Sequence, residues 1–373
     1  MMRVPFLDLT RIHKPLGRSF HQVLLKAIKN SRFVGGEEVE SFEREFAEFC
    51  GTKYSVGVSS GTDALRLALL AGGVKPGDTV ITCVNTFFAT VEAIVQAGCD
   101  FVLVDISPQS GMIDLGDLDR KITAKTRAII PVHLFGHAAP MKEIMSMARS
   151  RNMMVIEDAC QAHGAFYRKQ MAGTFGNLGC FSFYPGKNLG ALGEGGAVVT
   201  NNKKYAQTLK KLRDHGQDRK YYHSQMGYNA RLDSIQAGFL RIKLKKLKQW
   251  NESRRKIASA YNRQLSHVGE VKTVSPSHGV DSVWHLYVVM AKHRNRLARF
   301  LNERGIQTGL HYPIPIHLQK ICQGKYAKGD FPGGEEMART MLSLPIFSGM
   351  TQKEVSYVTK NIKMFFSNSK ACR

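Results

Sequence analysis

The sequence predicts an α/β protein: a mainly parallel sheet sandwiched by helices, with a smaller C-terminal α+β domain behind it. Three observations carry this. Short β-rich runs alternate with helical patterns from residue 54 to 200. The pattern then changes, with isolated strands and amphipathic helices after about residue 265. The length, 373 residues, suits two domains better than one. The expected division is residues 1–255 for the large domain and 256–373 for the small one.

The strands are expected at Tyr54–Val58, Thr79–Thr82, Phe101–Val104, Ala128–Val132, Met153–Ile156, Cys180–Phe183 and Ala197–Thr200. Helical spacing falls between most of them, at Asp63–Leu70, Ala89–Ala97, Leu115–Lys121 and Met141–Arg151. Residues 202 to 265 read as helical and basic. Beyond them, Trp284–Ala291 reads as a strand, Arg294–Gly305 as a helix ending at glycine, Ile306–Tyr312 as another strand and Gln352–Phe366 as a last helix.

Lys plus Arg exceed Asp plus Glu by 53 to 30, a formal net charge of +23. The densest basic cluster is Arg241–Lys256, where Ile242, Leu244, Leu247 and Trp250 interleave with the charges as on a helix with one packed face. That reads as a solvated helix face; the alternative is a surface for an anionic ligand or nucleic acid. No apolar run approaches the length of a membrane span, and Met1–Lys14 lacks the apolar core of a signal peptide. The seven cysteines are scattered, with no CxxC pair, so neither a disulfide framework nor a zinc site is indicated. A cytoplasmic location is expected.

The chemistry centres on FSFYPGKNLGALGEGG, Phe181–Gly196, which sets a single lysine, Lys187, among apolar and glycine residues. A sheltered lysine loses proton affinity, and its neutral amine is a nucleophile toward aldehydes. If the aldehyde is pyridoxal 5′-phosphate (PLP), three other stretches acquire roles. Asp158 ends an apolar strand and could hold the pyridine nitrogen protonated. Ser59–Thr62 lie where a strand feeds a helix N-terminus, a setting for phosphate. Phe87 or Phe88 could cover the ring. Gln161 and His163 follow Asp158 within about one helical turn and could support it. Taken singly, these have plainer readings: a strand-end cap for Asp158, an N-cap turn for Ser59–Thr62, and a satisfied core residue for His163.

With these residues in place, the sequence resembles the DegT/DnrJ/EryC1/StrS nucleotide-sugar aminotransferases, PLP enzymes of fold type I. The matching stretches include SSGTDAL, NTFFAT, PVHLFG, IEDACQAHGA, FSFYPGKNLGALGEGGAVVTN, GYNARLDSIQAGFL and HYPIPIH, from Pro5 to Phe347. The resemblance implies that Lys187 is the Schiff-base lysine and acid/base, and that Asp158 pairs with the pyridine nitrogen. It puts Gln161 beside the ring hydroxyl, Gly61, Thr62 and Ser182 on the phosphate, and Phe87 on the ring. It implies that Asn229 reaches the phosphate of a neighbouring subunit, making a homodimer with shared sites. Tyr312 and His317 become candidate sugar contacts; the plainer reading of their segment is a loop fixed by Pro313 and Pro315.

The implied reaction moves an amino group from L-glutamate, leaving 2-oxoglutarate, to a nucleotide-linked keto sugar. Relatives with histidine in place of the lysine remove a hydroxyl instead, and this chain has lysine. The segment KNLGALGEGG, Lys187–Gly196, resembles the form found in enzymes of 3-keto sugars rather than 4-keto sugars. The rival readings are a 4-keto sugar aminotransferase, a PLP-dependent sugar dehydratase, and a regulatory, nucleic-acid-binding relative supported by the charge. The expected partners are small molecules and a second copy of the chain, with no nucleic acid, membrane or metal.

Overall fold

The computed structural model describes residues 2–367; Met1 and the C-terminal residues 368–373, with Cys372, lie outside them. Its centre is a seven-stranded sheet: β1 (Tyr54–Val58), β2 (Thr79–Cys83), β3 (Asp100–Val104), β4 (Thr126–Ile130), β5 (Met154–Asp158), β6 (Leu178–Ser182) and β7 (Gly196–Thr200). They lie in the order β1-β7-β6-β5-β4-β2-β3. Neighbours from β6 to β3 run parallel, and β7 alone is reversed, antiparallel to both β1 and β6. All five residues of β5, β6 and β7 are buried. Helices cover both faces, so these strands read as continuous apolar runs rather than alternating ones.

Two hydrophobic clusters form the core. The larger holds the sheet and its flanking helices, and also Val283, Leu286, Ile316 and Phe331 from the C-terminal part. The smaller gathers Ile257, Tyr261, Leu301, Leu344 and Val358, together with Val4 from the N-terminus. A 32-residue helix, Ser234–Leu265, serves both: Leu240 and Leu247 pack in the first cluster, Ile257 and Tyr261 in the second. The strands Val271–Thr273, Tyr287–Ala291 and Met341–Leu344 form an antiparallel sheet that contributes Val271, Tyr287, Val289 and Leu344 to this smaller cluster.

Several expected elements differ. Residues 202 to 265 are not one helical stretch: helix Lys203–Leu212 is followed by a short hairpin, Gln217–Arg219 with Tyr222–His223, before the long helix begins. Gly216 makes that break possible. Its φ is +71° and a Cβ there would strike the Gln225 carbonyl oxygen. The strand expected from Trp284 begins only at Tyr287, because the chain turns at Trp284 (φ +46°), whose amide donates to Ser282 Oγ at 3.0 Å. Ile306–Tyr312 forms no strand. Ile306 bridges to Val4 and Gly309 to Ser343, and the chain then leaves for Pro313. Lys243, read as part of a solvated face, is buried, and its Nζ lies 3.0 Å from His13 Nε2.

Candidate active site

The C-terminal ends of the parallel strands open into one cavity of about 590 Å³. Asp158 closes β5, Ser182 closes β6, and helix Gly61–Ala71 starts just after β1. Among the sequence-derived candidates, Gly61, Thr62, Phe87, Asp158, Gln161, Ser182, Lys187 and Tyr312 line this cavity.

Lys187 lies on the glycine-rich crossing between β6 and β7, its amide bonded to the Tyr184 carbonyl at 2.9 Å. Burial pushes the amine below its ordinary value, and Cys160 and Asp158 pull it back. Burial also pushes the Cys160 thiol far up, so the thiol stays protonated at neutral pH. The sequence folds this way because Gly190 sits where a Cβ would collide with the Pro185 carbonyl oxygen.

Asp158 is 5% exposed and has neutral donors only: Thr90 Oγ1 at 2.8 Å to one oxygen and the Cys160 amide at 3.2 Å to the other. Thr86 and Thr90 hydroxyls are 2.8 Å apart, so Thr86 can donate to Thr90 while Thr90 donates to Asp158. A buried carboxylate whose direct hydrogen-bond donors are all neutral is suited to receive a cationic N–H. Gln161 is held by the Phe135 amide, which donates to its Oε1 at 2.8 Å, while its Nε2 faces the Tyr312 hydroxyl at 3.4 Å.

Ser60 caps helix Gly61–Ala71, its hydroxyl accepting from the Asp63 amide at 3.0 Å. The amides of Gly61 and Thr62 precede any intrahelical acceptor and carry the positive end of the helix dipole. A Cβ on Gly61 would come within 2.6 Å of the Ser182 Cβ and 3.1 Å of its Oγ. Glycine therefore brings the helix amides and the Ser182 hydroxyl to one anion cradle. Phe87 is 57% exposed at the cavity wall, its ring 5.6 Å from that of Tyr312.

Two candidates lie elsewhere. His317 does not line the cavity: it is buried, with Nε2 2.9 Å from Glu335 Oε1 and its ring against Phe331. The sequence placed it beside the sugar, but the helical turn Ile316–Leu318 points its side chain into the protein, where Glu335 takes it. Asn229 is exposed and outside this chain's cavity, next to Asp214, with which it pairs through the backbone.

The structure also brings in residues the sequence reading missed. Arg254, His285 and His311 line the cavity. Asn188 Nδ2 donates to Asn251 Oδ1 at 2.9 Å and to the Val283 carbonyl at 3.1 Å, which fixes that amide's orientation. Its Oδ1 lies 3.1 Å from His285 Nδ1, so Nδ1 carries the proton and Nε2 is left as an acceptor. Burial first, then Lys187 and Arg254, hold His285 well below the usual histidine range. His163 is buried between Phe181 and Phe183 with neither ring nitrogen hydrogen-bonded, and burial lowers it to about 3. It is a core histidine, though not a satisfied one. Nothing in the sequence signalled that Asn188 would face His285, and Arg254 looked like one more charge on a basic helix.

A lysine amine lowered by burial, a buried carboxylate bonded only by neutral donors and an anion cradle at a helix N-terminus, all at the strand ends of such a sheet, fit PLP. They define the class: a fold-type-I PLP enzyme. The comparisons agree. The profile of the DegT/DnrJ/EryC1/StrS aminotransferase family matches residues 16–363. The chain is 41% identical over 368 residues to a "pleiotropic regulatory protein" of Geobacillus stearothermophilus, covering 98% of this chain and 99% of the relative. It is 41% identical over 345 residues to a dTDP-3-amino-3,4,6-trideoxy-α-D-glucose transaminase of Streptomyces venezuelae, covering 92% and 91%. The crystal structure of S. venezuelae DesV in complex with a ketimine intermediate superposes with a TM-score of 0.96 at 39% identity, covering 98% of this chain and 99% of that one. The chain belongs to the DegT/DnrJ/EryC1/StrS aminotransferase family. It is a PLP-dependent aminotransferase.

Proposed function

We propose that this protein transfers the amino group of L-glutamate to the 3-keto group of a nucleotide-linked sugar, releasing 2-oxoglutarate and an amino sugar for a surface glycan or natural product. The observation that carries it is the single cavity in which Lys187, Asp158 and the Gly61–Ser182 cradle meet. The 3-amino product named for the Streptomyces relative supports the keto position and a dTDP-type carrier.

Bound PLP supplies an electron sink for the carbon losing its proton. The chain's residues do the rest. The Gly61 and Thr62 amides and the Ser182 hydroxyl bind the phosphate, and Phe87 covers the ring. Asp158, oriented by Thr90, holds the proton on the pyridine nitrogen and so stabilises the negative charge that develops. Gln161, fixed by the Phe135 amide, sits beside the ring hydroxyl. Lys187 Nζ, present more often as the free amine because burial disfavours its charge, takes the proton from the donor's α-carbon and returns one to the sugar carbon. Tyr312, held over the cavity by Gln161 and Phe87, contacts the sugar. Asn229 contributes to the phosphate site of a second copy, making a homodimer with shared sites.

The G. stearothermophilus relative's name favours a second reading, a regulatory protein. The assembled cavity supports catalysis instead. Lysine at position 187, where the family's dehydratases have histidine, supports transamination over dehydration. No helix among the described residues is long and apolar enough to cross a membrane. The six described cysteines are free thiols, which supports a cytoplasmic setting. The test is transfer of ¹⁵N from labelled L-glutamate to 3-keto and 4-keto nucleotide sugars, read by mass spectrometry. Label appearing on the 3-keto sugar is expected. Label on the 4-keto sugar alone, or loss of a hydroxyl without label, would overturn the assignment.

A further inference from the structure

His133 and Glu157 are fully buried, and neither lines the cavity. Glu157 precedes Asp158 in β5, so its side chain leaves the opposite face of the sheet. Its carboxylate accepts three main-chain amides, from Gly173 at 2.7 Å, Phe175 at 2.6 Å and Gly176 at 2.7 Å. The fourth contact is His133 Nε2 at 2.9 Å. The other ring nitrogen, Nδ1, accepts the Ala139 amide at 3.0 Å. An accepting nitrogen carries no proton, so the ring proton is on Nε2, which donates to Glu157. One side of His133 is thus tied to the sheet and the other to the far end of loop 133–139.

Between these ties the chain makes a turn that its residues do not favour. Phe135 has φ +62°, which is costly for a bulky side chain. Its carbonyl accepts the Leu286 amide at 3.2 Å, and the Gly136 carbonyl accepts Ser282 Oγ at 2.9 Å. The turn aims one N–H at Gln161: Phe135 N donates to Gln161 Oε1 at 2.8 Å. That bond decides which way the Gln161 amide faces. With Oε1 held by a donor, the NH2 end is left for the cavity, where it donates to the Tyr312 hydroxyl at 3.4 Å. Burial pushes the Tyr312 phenol up, so it keeps its proton. Nε2 has two N–H groups to give, and Tyr312 is its one bonded acceptor among the described residues.

We propose that His133 and Ser282, the two ties of the Phe135 turn, are positioning residues for the cofactor's ring hydroxyl. They hold the turn, and the Phe135 amide keeps Gln161 oriented so that an N–H donor, not a carbonyl oxygen, meets the ring oxygen. This rests on the placement of Gln161 beside that oxygen and extends it to residues outside the cavity. A donor stabilises negative charge on the oxygen, most of all once the neighbouring imine nitrogen has lost its proton. It therefore lowers the pH at which the yellow band of the PLP-loaded protein titrates. A carbonyl oxygen turned there would repel the charge and raise that pH.

The experiment is a pH titration of the band in wild type, His133→Phe, Gln161→Ala and the double variant, each checked for an unchanged circular dichroism spectrum. His133→Phe keeps the ring's bulk and removes both of its hydrogen bonds. In each single variant the midpoint should rise by roughly one pH unit. The two shifts should not add: in the double variant the midpoint should stay where Gln161→Ala alone puts it, because His133 acts through Gln161. A midpoint moved by Gln161→Ala but not by His133→Phe overturns the proposal and leaves the Gln161 placement standing. Additive shifts overturn it too, since His133 would then act by another route. A midpoint that Gln161→Ala leaves unmoved contradicts the placement of Gln161 itself, and the proposal falls with it. If His133→Phe does not fold, Ser282→Ala takes its place with a smaller change at the other tie. The same direction and the same lack of additivity with Gln161→Ala are expected, and an unmoved midpoint overturns the proposal.

Discussion

Asp158 and Gly61 carry the sharpest consequences of single atoms. Replacing Asp158 by Asn keeps the side chain's size and its place beside Thr90, but removes the charge that matches a ring N–H⁺. The variant should fold with an unchanged circular dichroism spectrum and bind PLP, while the L-glutamate half-reaction slows by roughly 100- to 1,000-fold. A rate near wild type would show that another group holds that proton. Gly61→Ala would put a methyl group 2.6 Å from the Ser182 Cβ, in the space the cradle needs. PLP titration should show affinity reduced by about tenfold or more, with the sheet intact by circular dichroism. At this scale the sequence was informative where a residue type is unusual for its place, as with a lysine among glycines or an aspartate ending an apolar strand. It was silent where the role depends on what a side chain lacks. Arg254 reads as a helix-surface charge, and only the structure reveals that no acid among the described residues pairs with it. His317 erred the other way, since no periodicity announces that Glu335 will claim it.

Among elements, the long helix Ser234–Leu265 makes the clearest stability prediction. Lys243 is 1% exposed, and its one hydrogen-bond partner among the described residues, His13, is held neutral at about 4 by burial and by Lys243 itself. Burial lowers Lys243 to about 8. Above pH 10.5 the amine is neutral in both folded and unfolded chains and costs nothing through ionisation. As pH falls from 10.5 towards 8 the unfolded chain takes up a proton that the folded one refuses, so stability falls across that window. Lys243→Met should therefore raise stability at neutral pH by about 1–3 kcal/mol and remove that slope, as read by urea unfolding at pH 7, 8 and 9.5. Ser60→Ala, which deletes the cap of helix Gly61–Ala71, should cost about 1 kcal/mol. The sheet's strands were legible to within a few residues because buried parallel strands are short apolar runs between turn signals. The hairpin after Leu212 was not, because its positive-φ turn interrupts a basic, helix-favouring composition. Ile306–Tyr312 looked like a strand, but its partners, Val4 and Ser343, lie far off in sequence and pair with it at single points.

The whole molecule joins two cores through one helix and leaves Asn229 outside the cavity of its own chain. If Asn229 serves a second copy, inactive Lys187→Ala chains mixed with Asn229→Ala chains should recover part of the wild-type activity, because one site in each mixed dimer receives both intact residues. No recovery in verified mixed dimers would mean that each chain works alone. The net charge of +23 gives the surface a field that draws in phosphorylated substrates, and raising ionic strength should weaken nucleotide-sugar capture more than turnover at saturation. A field of that kind is legible from composition. The assembly is not, because a dimer interface depends on which surfaces meet. The most direct test of the central claim is the visible absorbance of PLP-loaded protein before and after L-glutamate. The PLP-loaded protein should be yellow, and glutamate should bleach it to a pyridoxamine spectrum, with 2-oxoglutarate released in equal amount. A yellow band that neither glutamate nor any other amino acid changes would contradict it.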